Sequence, residues 1–157
     1  MLFIEKYNKS RDAEVETLRV KAEQVQFTVD RLGEFILSLK EDEHPHLIIE
    51  NERVVGFFVL DLSYSDTYSF SDPKALGIRA LLIDQNHQGL GIASKAMNLL
   101  PSYVISNYPG FERLQLTVNC RNKAAYNFYL KCGFEDTGNL YLGGPVGPQH
   151  IMQRIAA

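Results

Sequence analysis

No apolar run in this chain approaches the ~20 residues that cross a bilayer as a helix, which excludes a helical membrane span. The first residues, Met1 to Tyr7, lack a basic stretch followed by a long apolar one, so they read as a strand and not as a secretion signal. Cysteine is scarce. Cys120 and Cys132 have no metal-like spacing, and without an export signal both are expected as reduced thiols of a cytoplasmic protein. His44 and His46, flanking Pro45, are too few for a metal site, so no metal is expected. Basic clusters longer than two or three residues are absent and the net charge is −3, which argues against a nucleic-acid partner and slightly favours a cationic acceptor. No internal repeat or low-complexity linker stands out. What is present is ordinary: 45% hydrophobic and 22% charged residues in 157 positions predict one globular domain with a single core.

The informative stretch is Asn86-His87-Gln88-Gly89-Leu90-Gly91-Ile92-Ala93-Ser94. The apolar run Ala80-Leu81-Leu82-Ile83 leads into it and a helix-like segment, residues 92–107, leads out. A strand, a glycine-rich turn and a helix start form an anion site. Glycines take up positive φ at little cost, and the first helix amides point outward with the positive end of the macrodipole behind them. Such an end holds a phosphate or pyrophosphate without a cationic side chain, so the stretch predicts a nucleotide-like cofactor. A dinucleotide fingerprint needs a third glycine where Ser94 stands, which disfavours a dinucleotide-dependent enzyme, and no P-loop pattern occurs in the chain.

The run from Gln88 to Ala93, Gln-x-x-Gly-x-Ala, resembles the pyrophosphate-binding signature of the GNAT superfamily of N-acetyltransferases, which bind acetyl coenzyme A. A second run, Asn122-Lys123-Ala124-Ala125-Tyr126-Asn127-Phe128-Tyr129-Leu130-Lys131-Cys132-Gly133-Phe134, resembles the other signature of that family, in the family's order and at roughly its separation. The resemblance implies a cofactor site made of the backbone of Leu82 and Ile83 for the pantothenyl arm and Gln88, Gly89, Leu90, Gly91, Ile92, Ala93 and Ser94 for the pyrophosphate. Asn122 would touch the arm and Lys131 would reach the 3′-phosphate, with a surface lysine as the alternative. It also implies that Tyr129 is the catalytic acid that protonates the departing thiolate. An ordinary phenol has a pKa near 10 and a thiol near 8.5, so that transfer is uphill by roughly 1.5 in water, a gap that a desolvated thiolate narrows.

The element order reads as β-α-α-β-β-β-α-β-α-β-β. The strands are residues 2–7, 46–50, 54–62, 75–84, 114–118, 134–142 and 149–155. Two helices lie within residues 12–40, the first with Val15, Leu18 and Val20 and the second starting at Thr28 as N-cap, and further helices lie at 92–107 and 122–132. Residues 63–73 read as a loop and 143–148 as a turn, and Pro101 predicts a bend or break near Leu100. This is the order of the GNAT fold, an α+β, three-layer α/β/α sandwich whose mixed, mostly antiparallel sheet splays between the fourth and fifth strands.

An alkylamine must lose its proton before it attacks, a cost of about 4–5 kcal/mol at pH 7 for a pKa near 10.4. Some relatives, including diamine acetyltransferases, place a glutamate on the fourth strand for this. Here the corresponding residue is Arg79, which leaves Asp84 or a water chain as the alternatives. The stretch Leu18 to Phe27, with Gly56-Phe57-Phe58, loosely resembles bacterial spermine/spermidine or diamine acetyltransferases. Asp61, Asp66 and Asp72 with Tyr64 and Tyr68 would suit a polyamine if they face inward; the alternative is a solvated loop. His87 reads as a solvated surface residue and His150 as a strand residue outside the pocket. The expected function is acetyl transfer from acetyl-CoA to a small primary amine, with no nucleic-acid or membrane partner. Protein N-acetylation and a catalytically silent acyl-CoA sensor are the other readings. Relatives of this kind often dimerise, so a homodimer is one expected assembly.

Overall fold

The structure is a computed structural model that describes residues 1–19 and 31–156. Its layers follow from alternation. In β2 (Glu43–Glu50) and β3 (Arg53–Asp61), the buried side chains of Leu47, Ile49, Phe57 and Val59 turn to one face, and those of Ile48, Phe58 and Leu60 to the other. The first face packs with Val15 of α1 (Asp12–Val15), Leu18, and Leu32 of α2 (Leu32–Ser38); Phe35 meets Phe57 edge-on at 6.2 Å between ring centroids. The second face carries α4 (Ile92–Asn107) and α5 (Lys123–Lys131), so the sheet lies between two helical layers.

With β1 (Leu2–Lys6), β4 (Ala75–Ile83), β5 (Arg113–Asn119), β6 (Glu135–Tyr141) and β7 (Gln149–Ile155), the sheet has seven strands in the order β1-β2-β3-β4-β5-β7-β6. Every neighbouring pair is antiparallel except β4 and β5. That parallel pair is short: Ala75, Leu76 and Gly77 register with Arg113, Leu114 and Gln115, and the two strands then part. The expected splay between the fourth and fifth strands is therefore present, and so is the α+β sandwich.

A bulge drives the separation. Phe57 faces Leu82 and Val59 faces Arg79, so Phe58 alone opposes both Ala80 and Leu81. Ala80 sits at φ 57°, a left-handed conformation that a non-glycine residue rarely adopts. No glycine marks the spot, so nothing in the sequence pattern signals it.

Four elements differ from the sequence expectation. The first helix is a single turn, and Val20, Thr28 and most of the polyamine-like stretch lie outside the described residues. Residues 63–73 contain a one-turn helix, α3 (Tyr64–Thr67). Strand β2 starts at Glu43, three residues earlier than expected, because His44 and Pro45 pair with Leu60 and Val59. Helix α4 runs unbroken through Pro101. The missing amide hydrogen bond is outweighed by the buried row Ile92, Ala96, Met97, Leu100 and Val104, which lies on both sides of the proline. Each large apolar side chain in that row contributes about 1.5–3 kcal/mol.

One polar network pins β2 to α4. His46 is fully buried and stacks on Phe58 at 5.2 Å. Its Nδ1 lies 2.9 Å from the His44 carbonyl, which only accepts, so Nδ1 carries the proton. Nε2 then accepts from the Tyr103 hydroxyl at 2.8 Å. Burial pulls the pKa of this imidazole from the ordinary 6.5 to about 4.

Candidate active site

Where β4 and β5 part, a cleft of about 710 Å³ opens. Its walls are the second half of β4 (residues 78–83), the stretch Leu116, Thr117, Val118 and Asn119 of β5, the turn before α4, and the inner face of α5. Beyond Gly77, β4 has no partner on this side. Along β4 the backbone alternates. Asp84 donates its amide to the Val55 carbonyl on the β3 side, so the polar groups of Ile83 face the cleft. Those of Leu82 turn toward Phe57 instead. Gln88 Nε2 donates to the Ile83 carbonyl at 3.0 Å and so ties the glycine turn to this open edge.

At the end of β4 the chain makes a capped turn. Asp84, buried, accepts from the amides of Arg19 at 3.0 Å and Asn86 at 3.2 Å, and its Oδ2 lies 3.1 Å from His87 Nδ1. Both carboxylate oxygens are thus engaged in holding the turn, and Asp84 does not line the cleft. Gly89 and Gly91 follow at φ 78° and 76°. A Cβ on either would meet no atom within 4 Å, so backbone conformation, not crowding, requires glycine there. Gly91 is the N-cap of α4 and provides no side-chain cap; the first helical hydrogen bond is Lys95 N to Gly91 O at 3.0 Å. The amides of Ile92, Ala93 and Ser94 therefore have no partner within the helix. An anion fits this end, as the spacing of Gly89 and Gly91 predicts.

Across the cleft, Asn122 caps α5 by accepting from the Ala125 amide at 3.2 Å. Tyr129, two turns on along the same helix face, is 8% exposed and stands between the rings of Phe128 and Phe134 at 5.1 and 5.4 Å. Its hydroxyl has no hydrogen-bond partner among the described residues. Desolvation, with a smaller contribution from Cys132, pushes its pKa well above the ordinary phenol value.

Of the residues singled out from the sequence, Leu82, Ile83, Gln88, Gly89, Gly91, Ile92, Ala93, Ser94, Asn122 and Tyr129 all line this one cleft. Leu90 points out, 63% exposed, and Lys131 is an exposed helix residue; neither forms the wall. His87, read as a surface residue, lines the cleft beside the turn; its place next to Gln88 was the available signal. His150 stays outside it, 4.4 Å from the Tyr126 ring. The cysteines are free, and among the described residues no cluster of three His, Cys, Asp or Glu could hold a metal. Among those residues, too, no helix is long and apolar enough to cross a membrane.

A family model for the acetyltransferase (GNAT) family matches residues 7–134. The chain belongs to that family. It is similar to the uncharacterized N-acetyltransferase YbbJ of Bacillus subtilis (strain 168), at 38% identity over 116 residues that cover 73% of this chain and 72% of that one. Among solved structures, the aminoglycoside acetyltransferase AAC(6′)-Ib in complex with coenzyme A superposes with a TM-score of 0.79 at 20% identity, covering 99% of this chain and 95% of that one. The spermidine N-acetyltransferase of Vibrio cholerae in complex with CoA and spermine gives 0.72 at 17%, with the same coverage. At such identities the two structures speak for the fold. Family membership makes the chain an N-acetyltransferase with acetyl-CoA as its cosubstrate. The outward amides of α4, the glycines at positive φ and the unpaired edge of β4 fit that group.

The far end of the cleft lies along β4 from Ile83 back to Arg79, away from the phosphate turn. Gly77 makes it possible. A Cβ there would lie 2.2 Å from the Tyr64 ring, which rests on the glycine and is buried. Tyr64 and Tyr68 line the wall, their rings 4.6 Å apart. Arg79 lines it too, paired through Nη1 with Glu43 and, at 3.5 Å, with Asp61. Of the three aspartates considered for a polyamine, Asp61 is buried beneath Arg79. Asp66 is exposed, and Asp72 pairs with Arg113 and caps Lys74; none lines the cleft.

Proposed function

We propose that the chain transfers an acetyl group to a primary amine by direct attack, with Tyr129 as the acid. The observation that carries this reading is the convergence of three features on one cleft: a turn that suits an anion, an unpaired strand edge, and a tyrosine hydroxyl without a partner among the described residues. Bound acetyl coenzyme A supplies the thioester. The amides of Ile92, Ala93 and Ser94 hold the diphosphate, the Ile83 backbone and Asn122 orient the arm, and the apolar surround of Tyr129 keeps water from the hydroxyl. Because its pKa is raised, Tyr129 stays protonated throughout the neutral range and delivers its proton only to a strongly basic thiolate.

The amine's own proton leaves through water. No carboxylate lines the cleft among the described residues, and Asp84 is engaged by backbone amides. The test is coenzyme A release across polyamines, aminoglycosides, amino acids and peptide N-termini, with Tyr129→Phe alongside. The variant is expected to lose about 10²-fold or more in kcat with an unchanged KM for acetyl-CoA. A rate within threefold of the parent, at saturating amine, removes the assignment.

A further inference from the structure

The charge at the far end of the cleft is of one sign among the described residues. Among the described residues, the only charged or titratable side chains of Asp, Glu, Lys, Arg or His lining the whole cleft are Arg79 and His87, and His87 lies at the phosphate turn. One side-chain acceptor at the far end is already used: Gln149 Oε1 accepts from the Thr117 hydroxyl at 2.6 Å. Donors remain. Among the described residues the Gln149 NH₂ group and the Tyr68 hydroxyl make no hydrogen bond, and both ion pairs of Arg79 run through Nη1, which leaves Nε and Nη2 without partners there.

A polycation needs the opposite arrangement, carboxylates at the wall. Among the described residues, the two carboxylates paired with Arg79 sit behind the guanidinium: the Asp61 side chain is 4% exposed and that of Glu43 16%, against 33% for Arg79. They hold the guanidinium in place, so little ordering cost falls on binding, and Arg79 is the charge that a ligand meets first. A planar fork with two free donor nitrogens matches a carboxylate.

We propose that the acceptor is a small primary amine that carries a carboxylate within a few bonds of its nitrogen, held by Arg79, with Tyr64 and Tyr68 walling the rest of the molecule. This rests on the acetyl-transfer reading above and names the substrate class of the same site. It runs against the sequence-based expectation of a polyamine, because the aspartates that expectation needed do not reach the cleft.

Matched pairs test it directly: tyrosine against tyramine, lysine against cadaverine, with spermidine as a polycation, all assayed by coenzyme A release. The carboxylated member of each pair is expected to have at least tenfold higher kcat/KM. In Arg79→Lys, which keeps the charge but loses the fork, and in Arg79→Gln, that ratio is expected to fall toward one through a raised KM for the carboxylated member, with KM for acetyl-CoA unchanged. Arg79→Gln leaves Glu43 and Asp61 without their cation and can fail to fold; the ratio in the unaltered enzyme and Arg79→Lys then decide. Spermidine, cadaverine or tyramine turned over as well as or better than the carboxylated amines would overturn the proposal and leave the acetyltransferase reading standing. So would an enzyme that binds acetyl-CoA but acetylates no carboxylated amine. Failure to bind acetyl-CoA at all would sink both.

Discussion

His46 makes the stability of this fold depend on pH in a calculable way. In the unfolded chain its imidazole titrates near 6.5, and in the folded chain near 4. A depressed folded pKa favours the folded state fully above pH 6.5, and that advantage is lost as pH falls toward 4. At 1.36 kcal/mol per pKa unit, the loss relative to pH 7 is about 2 kcal/mol at pH 5 and about 3 kcal/mol at pH 4. The cause is structural: Nδ1 already donates to the His44 carbonyl, so a second proton would go to Nε2, which accepts from Tyr103 in a site without water-exposed surface. Other groups contribute to the same pH range, since Glu14 and Asp136 have lowered pKa values through Arg11 and through the Gly138 amide respectively. The measurement is therefore a difference. Urea unfolding of the parent and of His46→Gln, at pH 7, 5 and 4, should show the variant less stable at pH 7, with the gap shrinking by about 2 kcal/mol at pH 5 and about 3 kcal/mol at pH 4. Parallel curves for the two proteins would refute the argument, as would an imidazole resonance of His46 that titrates near 6.5 in the folded protein.

Two further substitutions separate backbone from side-chain effects. Gly91→Ala forces a β-carbon onto a left-handed residue with open space around it, so it should cost about 1–2 kcal/mol in thermal or urea unfolding and raise KM for acetyl-CoA; Gly91→Asn should cost less, because asparagine enters that region more readily. Gly77→Ala places a methyl group against the Tyr64 ring and should destabilise by about 1–3 kcal/mol, raising KM for the amine while leaving KM for acetyl-CoA unchanged. Combined with Tyr64→Ala, which removes the obstacle, it should cost less than the sum of the two, as a double-mutant cycle will show.

The cofactor half of the site was legible because its chemistry is local. Gly89 and Gly91 declare a backbone conformation, and Asn122 and Tyr129 fall on one face of one helix, so ten of the twelve residues expected from the sequence line one cleft. Leu90 and Lys131 do not line the cleft: a motif position or a terminal helix lysine says which element a residue is on, not which way its side chain points. The acceptor half is made of contacts between distant segments. Glu43, Asp61 and Arg79 come from three strands, and Tyr64 finds its place only because Gly77, on another element, has no side chain. Ala80 shows the limit most sharply. Its bulge opens the cleft, yet alanine carries no preference for a left-handed conformation, and only the register of β3 against β4 imposes it.

Arg79 bears on the amine's proton as well as on its binding. An ammonium beside a guanidinium is disfavoured, so a cation at this position lowers the pKa of a nearby amine, whereas a glutamate would raise it and then act as the base. Each pKa unit removed this way takes about 1.4 kcal/mol from the 4–5 kcal/mol that an ordinary alkylamine must meet at neutral pH. The buried carboxylates of Glu43 and Asp61 weaken the guanidinium's field, and a bound substrate carboxylate would weaken it further, so the gain is a fraction of the whole. It favours acceptors whose amines are already weaker bases than a lysine side chain. Among the described residues, the lack of a carboxylate at the wall and the presence of Arg79 act in the same direction. A site built for strongly basic polyamines would need both a base and a negative wall, and β4 provides neither at its open edge.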